Sequence, residues 1–183
     1  ILNALSYSAY DVENLSDCDD TNLMVKALNS NDRDFNVGAA GTTMRFLTAF
    51  LSKVVGEWTI TGTERMKNRP IKVLVDALNA LGARIEYMEK EGYPPLRIFG
   101  SALQGGEISL PGNVSSQYIS AILMIAPLTE NGVTLHLEGA IISRPYIHIT
   151  LQLMEQYGVR ASWTENTIKV LPQEYKPIRF TVE

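Results

Sequence analysis

Two stretches of this chain are apolar on nearly every side at helical spacing. Met44, Phe46, Leu47, Ala49, Phe50 and Leu51 fill one, within residues 42–53. Tyr118, Ile119 and the run Ala121 to Ala126 fill the other, within residues 116–128. Helices of that kind belong inside a domain, not on its surface. A third stretch, 70–81, is amphipathic: Ile71, Leu74, Val75, Leu78 and Leu81 share a face, with Lys72, Asp76 and Asn79 opposite. Pro70 and Pro145 each suit the first turn of a helix, where a missing N–H loses no partner. Short β runs lie between, at 57–61, 84–87, 96–99, 107–110, 133–137, 161–163, 167–170 and 178–182. Several alternate apolar and polar residues as strands with one wet face do. Buried helices with half-exposed strands around them reverse the usual layering. The pattern predicts an α/β domain with helices packed inside and sheets outside.

The pattern also repeats. Leu5-Ser6, Leu51-Ser52 and Leu128-Thr129 each close an apolar run, and a turn residue follows at Leu15, Gly62 or Gly139. A second helical run then opens at Asp20, Pro70 or Pro145. The later copies continue alike, Leu81-Gly82-Ala83-Arg84-Ile85 against Tyr157-Gly158-Val159-Arg160-Ala161. Three copies of one supersecondary unit are therefore expected. The first begins inside its helix, so the chain reads as a piece of something longer.

Composition narrows the picture. With 183 residues, 45% of them hydrophobic, the chain can bury a full core at the size of one domain. A net charge of −4 argues against a nucleic-acid partner, which needs a basic face. No apolar run reaches the ~18 residues of a membrane span. A soluble, cytoplasmic protein is the expectation, with no membrane partner. Cys18 is the single cysteine, so no disulfide or cysteine-metal site is expected; without a basic neighbour it reads as inert. His136 and His148 lack further ligands at metal spacing and read as structural. Asp17, Asp19 and Asp20 form an acidic turn suited to capping a helix.

Four segments could carry chemistry. Residues 38–45 form a Gly-rich loop opening a helix, which can cradle an anion or can be only a tight turn. Arg65, Lys67 and Arg69 put three cations into five residues of an acidic protein, just ahead of a helix. Arginine's planar fork suits carboxylate and phosphate, although a solvated basic turn is the plainer alternative. Ser115, Ser116 and Gln117 precede a buried helix; one serine would cap it, and all three together would hold a phosphate. Ser143 to Tyr146 stands in the third copy where Asn68 to Pro70 stands in the second, and Ser143 reads equally as a cap.

Gly-Thr-Thr-Met-Arg (41–45), Glu-Arg-Met-Lys-Asn-Arg-Pro-Ile (64–71), Tyr-Pro-Pro-Leu-Arg (93–97), Val-Ser-Ser-Gln-Tyr (114–118) and Ser-Arg-Pro-Tyr-Ile (143–147) occur in order along the whole chain. Together they resemble the 5-enolpyruvylshikimate-3-phosphate synthase family of the shikimate pathway, the glyphosate target. The resemblance implies a two-lobe transferase in which each lobe holds three β-α-β-α-β-β units with helices inside. Residues 1–183 would be the N-terminal, shikimate 3-phosphate-binding lobe, its first unit abbreviated because 29–37 is short. A second lobe carrying the acid–base residues would be its partner, so no catalytic residue is assigned in this chain and no turnover is expected from it alone. The implied reaction adds the 5-hydroxyl of shikimate 3-phosphate to phosphoenolpyruvate and expels phosphate, with no metal or organic cofactor. Ser115, Ser116, Gln117, Ser143 and Tyr146 would hold shikimate 3-phosphate. Gly41, Arg65 and Gln117 would contact phosphoenolpyruvate or glyphosate, with Thr42 shaping that pocket. Ala39 departs from the family's usual asparagine. Two alternatives stay open: a related enolpyruvyl transferase acting on a UDP-sugar, which uses a loop cysteine, and a non-catalytic anion-binding module on the same scaffold.

Overall fold

A computed structural model describes residues 1–183. At its centre runs helix α6 (Ser116–Ile125), with every residue from Tyr118 to Ile125 buried. It packs against α3 (Gly41–Lys53), α5 (Lys72–Ala80) and α7 (Arg144–Gln156). The helix predicted over 116–128 does not run its full length. Its last residues form a 3-10 turn, Ala126–Leu128, because Pro127 has no N–H to continue the α-helical ladder. One core joins these helices to the inner faces of two sheets, through Ile60 and Ile98 of the first and Leu135 and Ile168 of the second.

The first sheet is built from β1 (Asp34–Asn36), β2 (Gly56–Thr61), β3 (Arg84–Tyr87) and β4 (Leu96–Gly100), in the order β1-β2-β4-β3. The second repeats it with β5 (Gly106–Pro111), β6 (Val133–Glu138), β7 (Ala161–Thr164) and β8 (Thr167–Val170), in the order β5-β6-β8-β7. Each opens with a parallel pair, Phe35 opposite Ile60 or Ile108 opposite Leu135, joined through α3 or α6. A parallel pair requires such a crossover, whereas the hairpins β3–β4 and β7–β8 need only turns. Strand burial alternates on β6, placing Val133, Leu135 and Leu137 inward. The helices-inside, sheets-outside layering thus follows from the residue pattern, with seven predicted strands lying within one residue of their expected ends.

The first unit is the exception. It holds α1 (Leu2–Leu5), α2 (Asp19–Leu28) and one isolated parallel bridge between Glu13 and Thr181. Glu13 N–H donates to the Phe180 carbonyl and Val182 N–H to the Glu13 carbonyl, both at 2.9 Å. This bridge stands where β1 meets β2 and β5 meets β6, so the three units close into a ring. The strand expected over 178–182 is therefore corrected to one bridge. Its partner segment turns away at Asn14, whose φ is 56°, and the chain passes from α2 to β1 without a second hairpin. For the same reason α2 buries no residue, unlike α3, α5, α6 and α7.

Two smaller corrections bear on the site. Pro70 is not in a helix: α5 starts at Lys72, after Ile71 at φ −132°. The basic segment before it forms a short helix α4 (Glu64–Lys67), absent from the sequence reading, with Thr63 Oγ1 accepting from Met66 N–H at 3.4 Å. Pro145 does fall in the first turn of α7.

Candidate anion-binding site

The openings of α3 and α6 and one face of α7 surround a cleft of about 480 Å³. Thr42, Ser115, Ser116, Gln117 and Tyr146 line its polar part, and Leu2, Phe46, Met124, Ile149 and Leu153 its apolar floor. Ser120 and Thr150 share a hydrogen bond of 2.7 Å that ties α6 to α7 behind it. Four of the five residues expected to hold shikimate 3-phosphate thus reach one cavity. Ser143 is not among the lining residues. It occupies the N-cap position of α7 but makes no side-chain cap bond, so the capping role read for it is not observed.

Gln117 is the hub of the polar part. Its Nε2 donates to Thr42 Oγ1 at 2.8 Å, and its Oε1 accepts from Arg45 Nη1. Two partners of opposite hydrogen-bonding sense hold the amide in one orientation. The Arg45 guanidinium lies over the Tyr118 ring, 5.2 Å from its centre, within cation–π range. Ser115 Oγ accepts from Gln117 N–H at 3.3 Å and so caps α6, leaving Ser116 as the uncommitted hydroxyl of the pair.

The basic segment brings Arg69 against Gly41 and leaves Arg65 at the surface. Arg65 is solvent-exposed, and neither it, Arg69 nor Arg45 is among the residues lining the cleft. The half-buried Arg69 guanidinium rests on Gly41: a Cβ built there would stand 2.9 Å from Arg69 Cζ. Glycine is needed at 41 for this close approach. Lys67 is engaged by Glu64 and Glu89, whereas Arg45 and Arg69 have no acidic partner. Two partly buried guanidinium groups thus stand without an acidic partner next to the cleft-lining helices, Arg45 bonded to the fixed amide of Gln117 and Arg69 resting on Gly41. Guanidinium groups of this kind suit a phosphate or carboxylate. Arg69 was legible as one of three cations. What singles it out is the α4 turn, which has no periodic signature.

The opening of α3 is already occupied. Asp20 Oδ1 accepts from Thr42 N–H at 3.0 Å and from Thr43 N–H at 3.3 Å, and Thr43 Oγ1 donates to the Asp20 carbonyl. The acidic turn does cap a helix, but across the fold and not its own. An anion at this end therefore meets side chains, with Asp20 holding the backbone N–H groups. His136 is bonded between Thr167 and Glu107 on the outer sheet, and His148 stacks on Trp163, 4.5 Å between ring centres. No group of three potential metal ligands exists. Cys18 is exposed and lies off the cleft lining. Hydrogen bonds from Ser16 and Thr21 hold its thiol below its ordinary value.

A repeat lobe with helices inside, sheets outside and a hydroxyl- and amide-lined cleft at the helix openings defines an enolpyruvyl-transferase-type lobe. The family model for EPSP synthase (3-phosphoshikimate 1-carboxyvinyltransferase) matches residues 1–183, and the chain belongs to that family. A 3-phosphoshikimate 1-carboxyvinyltransferase of Bacteroides fragilis is 58% identical over 184 residues, covering 100% of this chain and 45% of the relative. One from Vibrio cholerae is 48% identical over 150 residues, covering 80% of this chain and 35% of its own. A solved EPSP synthase from Acinetobacter baumannii superposes with a TM-score of 0.83 at 19% identity, over 99% of this chain and 46% of that one. The chain thus spans about half the length of the relatives it matches. No helix is long and apolar enough to cross a membrane.

Proposed function

We propose that this chain is the shikimate 3-phosphate-binding lobe of an enzyme that transfers the enolpyruvyl group of phosphoenolpyruvate to the 5-hydroxyl of shikimate 3-phosphate, releasing phosphate. The observation that carries this reading is the cleft lined by Thr42, Ser115, Ser116, Gln117 and Tyr146, with Arg45 bonded to Gln117 and Arg69 resting on Gly41, both without acidic partners. Ser116 and Gln117 take the phosphate of shikimate 3-phosphate, with Ser115 bracing Gln117 and Tyr146 lining the sugar-like ring. Ser143 joins them only if the turn before α7 moves inward. Gly41 and Gln117 border the anionic end of phosphoenolpyruvate, with Arg65 reaching in from the exposed rim and Arg69, over Gly41, adding a second cation.

The reaction passes from two anions to a tetrahedral adduct and then loses phosphate. Positioned cations and fixed hydrogen-bond donors contribute by orientation and by stabilising developing charge. This chain supplies orientation: a locked amide, two guanidinium groups and a free hydroxyl on one rim. The residues that protonate and deprotonate belong to a second lobe, which is also the macromolecular partner. The setting is cytoplasmic. The UDP-sugar alternative gains nothing from Cys18, which lies off the cleft lining. The test joins this chain to the remaining segment of the Bacteroides fragilis relative and measures phosphate release from both substrates. Turnover by the joined protein and none by the chain alone is expected. Turnover with a UDP-sugar acceptor in place of shikimate 3-phosphate, or none with either, overturns the reading.

A further inference from the structure

Helices α3, α6 and α7 bring polar groups to the cleft, and only one side chain ties the neighbouring α4–α5 turn to α6. Tyr118 is the second residue after Ser116 in α6. Its ring is buried, at 9% exposure, and its hydroxyl donates to the Pro70 carbonyl at 2.7 Å. The turn is otherwise held from its own side: Arg69 N–H donates to the Met66 carbonyl at 3.0 Å and Ile71 N–H to the Gly92 carbonyl at 2.8 Å. Pro70 has no N–H to offer, so its carbonyl is the remaining handle on this turn, and Tyr118 takes it. The same ring carries the Arg45 guanidinium on its face, and Arg45 in turn holds Gln117.

We infer that Tyr118 is a positioning residue: its hydroxyl sets the Arg69–Pro70 turn so that the Arg69 guanidinium stays over Gly41, while its ring independently supports Arg45 and Gln117. The two halves of the residue thus serve two halves of the site. The hydroxyl serves the Arg69 half, and the ring serves the Ser116–Gln117 half. Deleting only the hydroxyl releases Arg69 and leaves the other half in place, because Gln117 keeps its bonds to Arg45 and Thr42 and Ser115 keeps its cap. The Tyr118 hydroxyl is committed to the Pro70 carbonyl and the ring is buried, so the residue acts through the Arg69–Pro70 turn and not on a ligand. This inference rests on the proposed function for the identity of the ligands, but its geometry does not depend on them.

The test is Tyr118→Phe in the full chain, compared with Tyr157→Phe, which deletes a hydroxyl bonded to Asn3 away from the site. Without ligand, the backbone amide signal of Gly41 and the Nε–Hε signal of Arg69 are followed by 15N-resolved NMR. Both are expected to shift in Tyr118→Phe and to stay in place in Tyr157→Phe. With shikimate 3-phosphate saturating, affinity for phosphoenolpyruvate is then expected to fall about tenfold, the loss of one well-placed charge-assisted hydrogen bond. Affinity for shikimate 3-phosphate alone should change less than about twofold. Unmoved Gly41 and Arg69 signals overturn the inference whether or not ligands bind. A parallel fall of both affinities also overturns it, since that marks a general loss of structure. If the unaltered chain binds neither compound, the proposed function fails by itself, and the two ligand-free signals still decide the role of Tyr118.

Discussion

Asp20 offers the sharpest check on how the site is assembled. Its carboxylate accepts from Thr42 and Thr43 N–H across the fold, doing for α3 what an N-cap side chain does from within a helix. Asp20→Ala leaves two N–H groups of the first turn without a side-chain acceptor. Loss of a cap costs typically about 1 kcal/mol, and loss of a carboxylate at a helix N-terminus another ~0.3–1 kcal/mol. The sum, about 1.5 kcal/mol, corresponds to a Tm lower by roughly 3–6 °C for a domain of this size. Asp20→Asn keeps an oxygen acceptor and loses only the charge term, so its Tm falls by roughly 1–3 °C. Thr43 Oγ1 bonds the Asp20 backbone carbonyl and is untouched in both variants. Thermal unfolding followed by circular dichroism reads the difference. The two variants should also part at the site, because Asp20→Asn removes a negative charge beside the anion cleft without loosening α3. Shikimate 3-phosphate should then bind more tightly to Asp20→Asn than to the unaltered chain at low salt. Equal Tm values for Asp20→Ala and the unaltered chain would refute the cross-fold cap. Weaker binding to Asp20→Asn would refute its placement beside the cleft.

Three further expectations concern the core, the Gly41 contact and the buried phenols. Ile122 is fully buried at the middle of α6, so Ile122→Ala should cost about 2–5 kcal/mol, seen as a lowered urea midpoint; a change below ~1 kcal/mol would contradict a close-packed helical centre. Gly41→Ala pushes on the end of the Arg69 side chain and not on backbone, so Tm should move by less than about 2 °C while phosphoenolpyruvate affinity falls about tenfold; unchanged affinity would remove Arg69 from the site. Tyr175 is buried with its hydroxyl on the Met124 carbonyl, and burial raises its phenol above the ordinary 10.0; Tyr87 is raised to about 12, by burial first and then by Asp76 and Glu91. Raised folded-state values mean that the folded chain holds these protons more tightly, so their stabilisation is complete below pH ~10 and is lost as pH rises past it. Tyr175→Phe should flatten the fall in Tm above pH ~10, and an unchanged alkaline slope would exclude Tyr175 as its source.

The layering was legible because it rests on periodicity. The all-apolar run from Tyr118 to Ala126 could only be interior, and the alternation at Val133, Leu135 and Leu137 could only face it. The ring closure was hidden, since a bridge between Glu13 and Thr181 joins residues far apart in the chain and has no local signature. The same holds for β1, three residues with only Phe35 buried, too short to display a period. At the site, residue type singled out segments, and geometry decides how the residues within a segment are disposed. Arg65 and Arg69 are chemically identical in sequence, and only the short α4 helix turns one outward and lays the other on Gly41. Asp20 was readable as a cap, but the helix it caps lies 22 residues downstream.

Convergence of the second and third units on one anion is tested most directly by titrating the chain with shikimate 3-phosphate and following backbone amide and arginine side-chain NMR signals. Coordinated shifts at Thr42, Ser116, Gln117 and Tyr146, together with the Nε–Hε signals of Arg45 and Arg69, are predicted. Saturable shifts confined to residues outside that rim would contradict it.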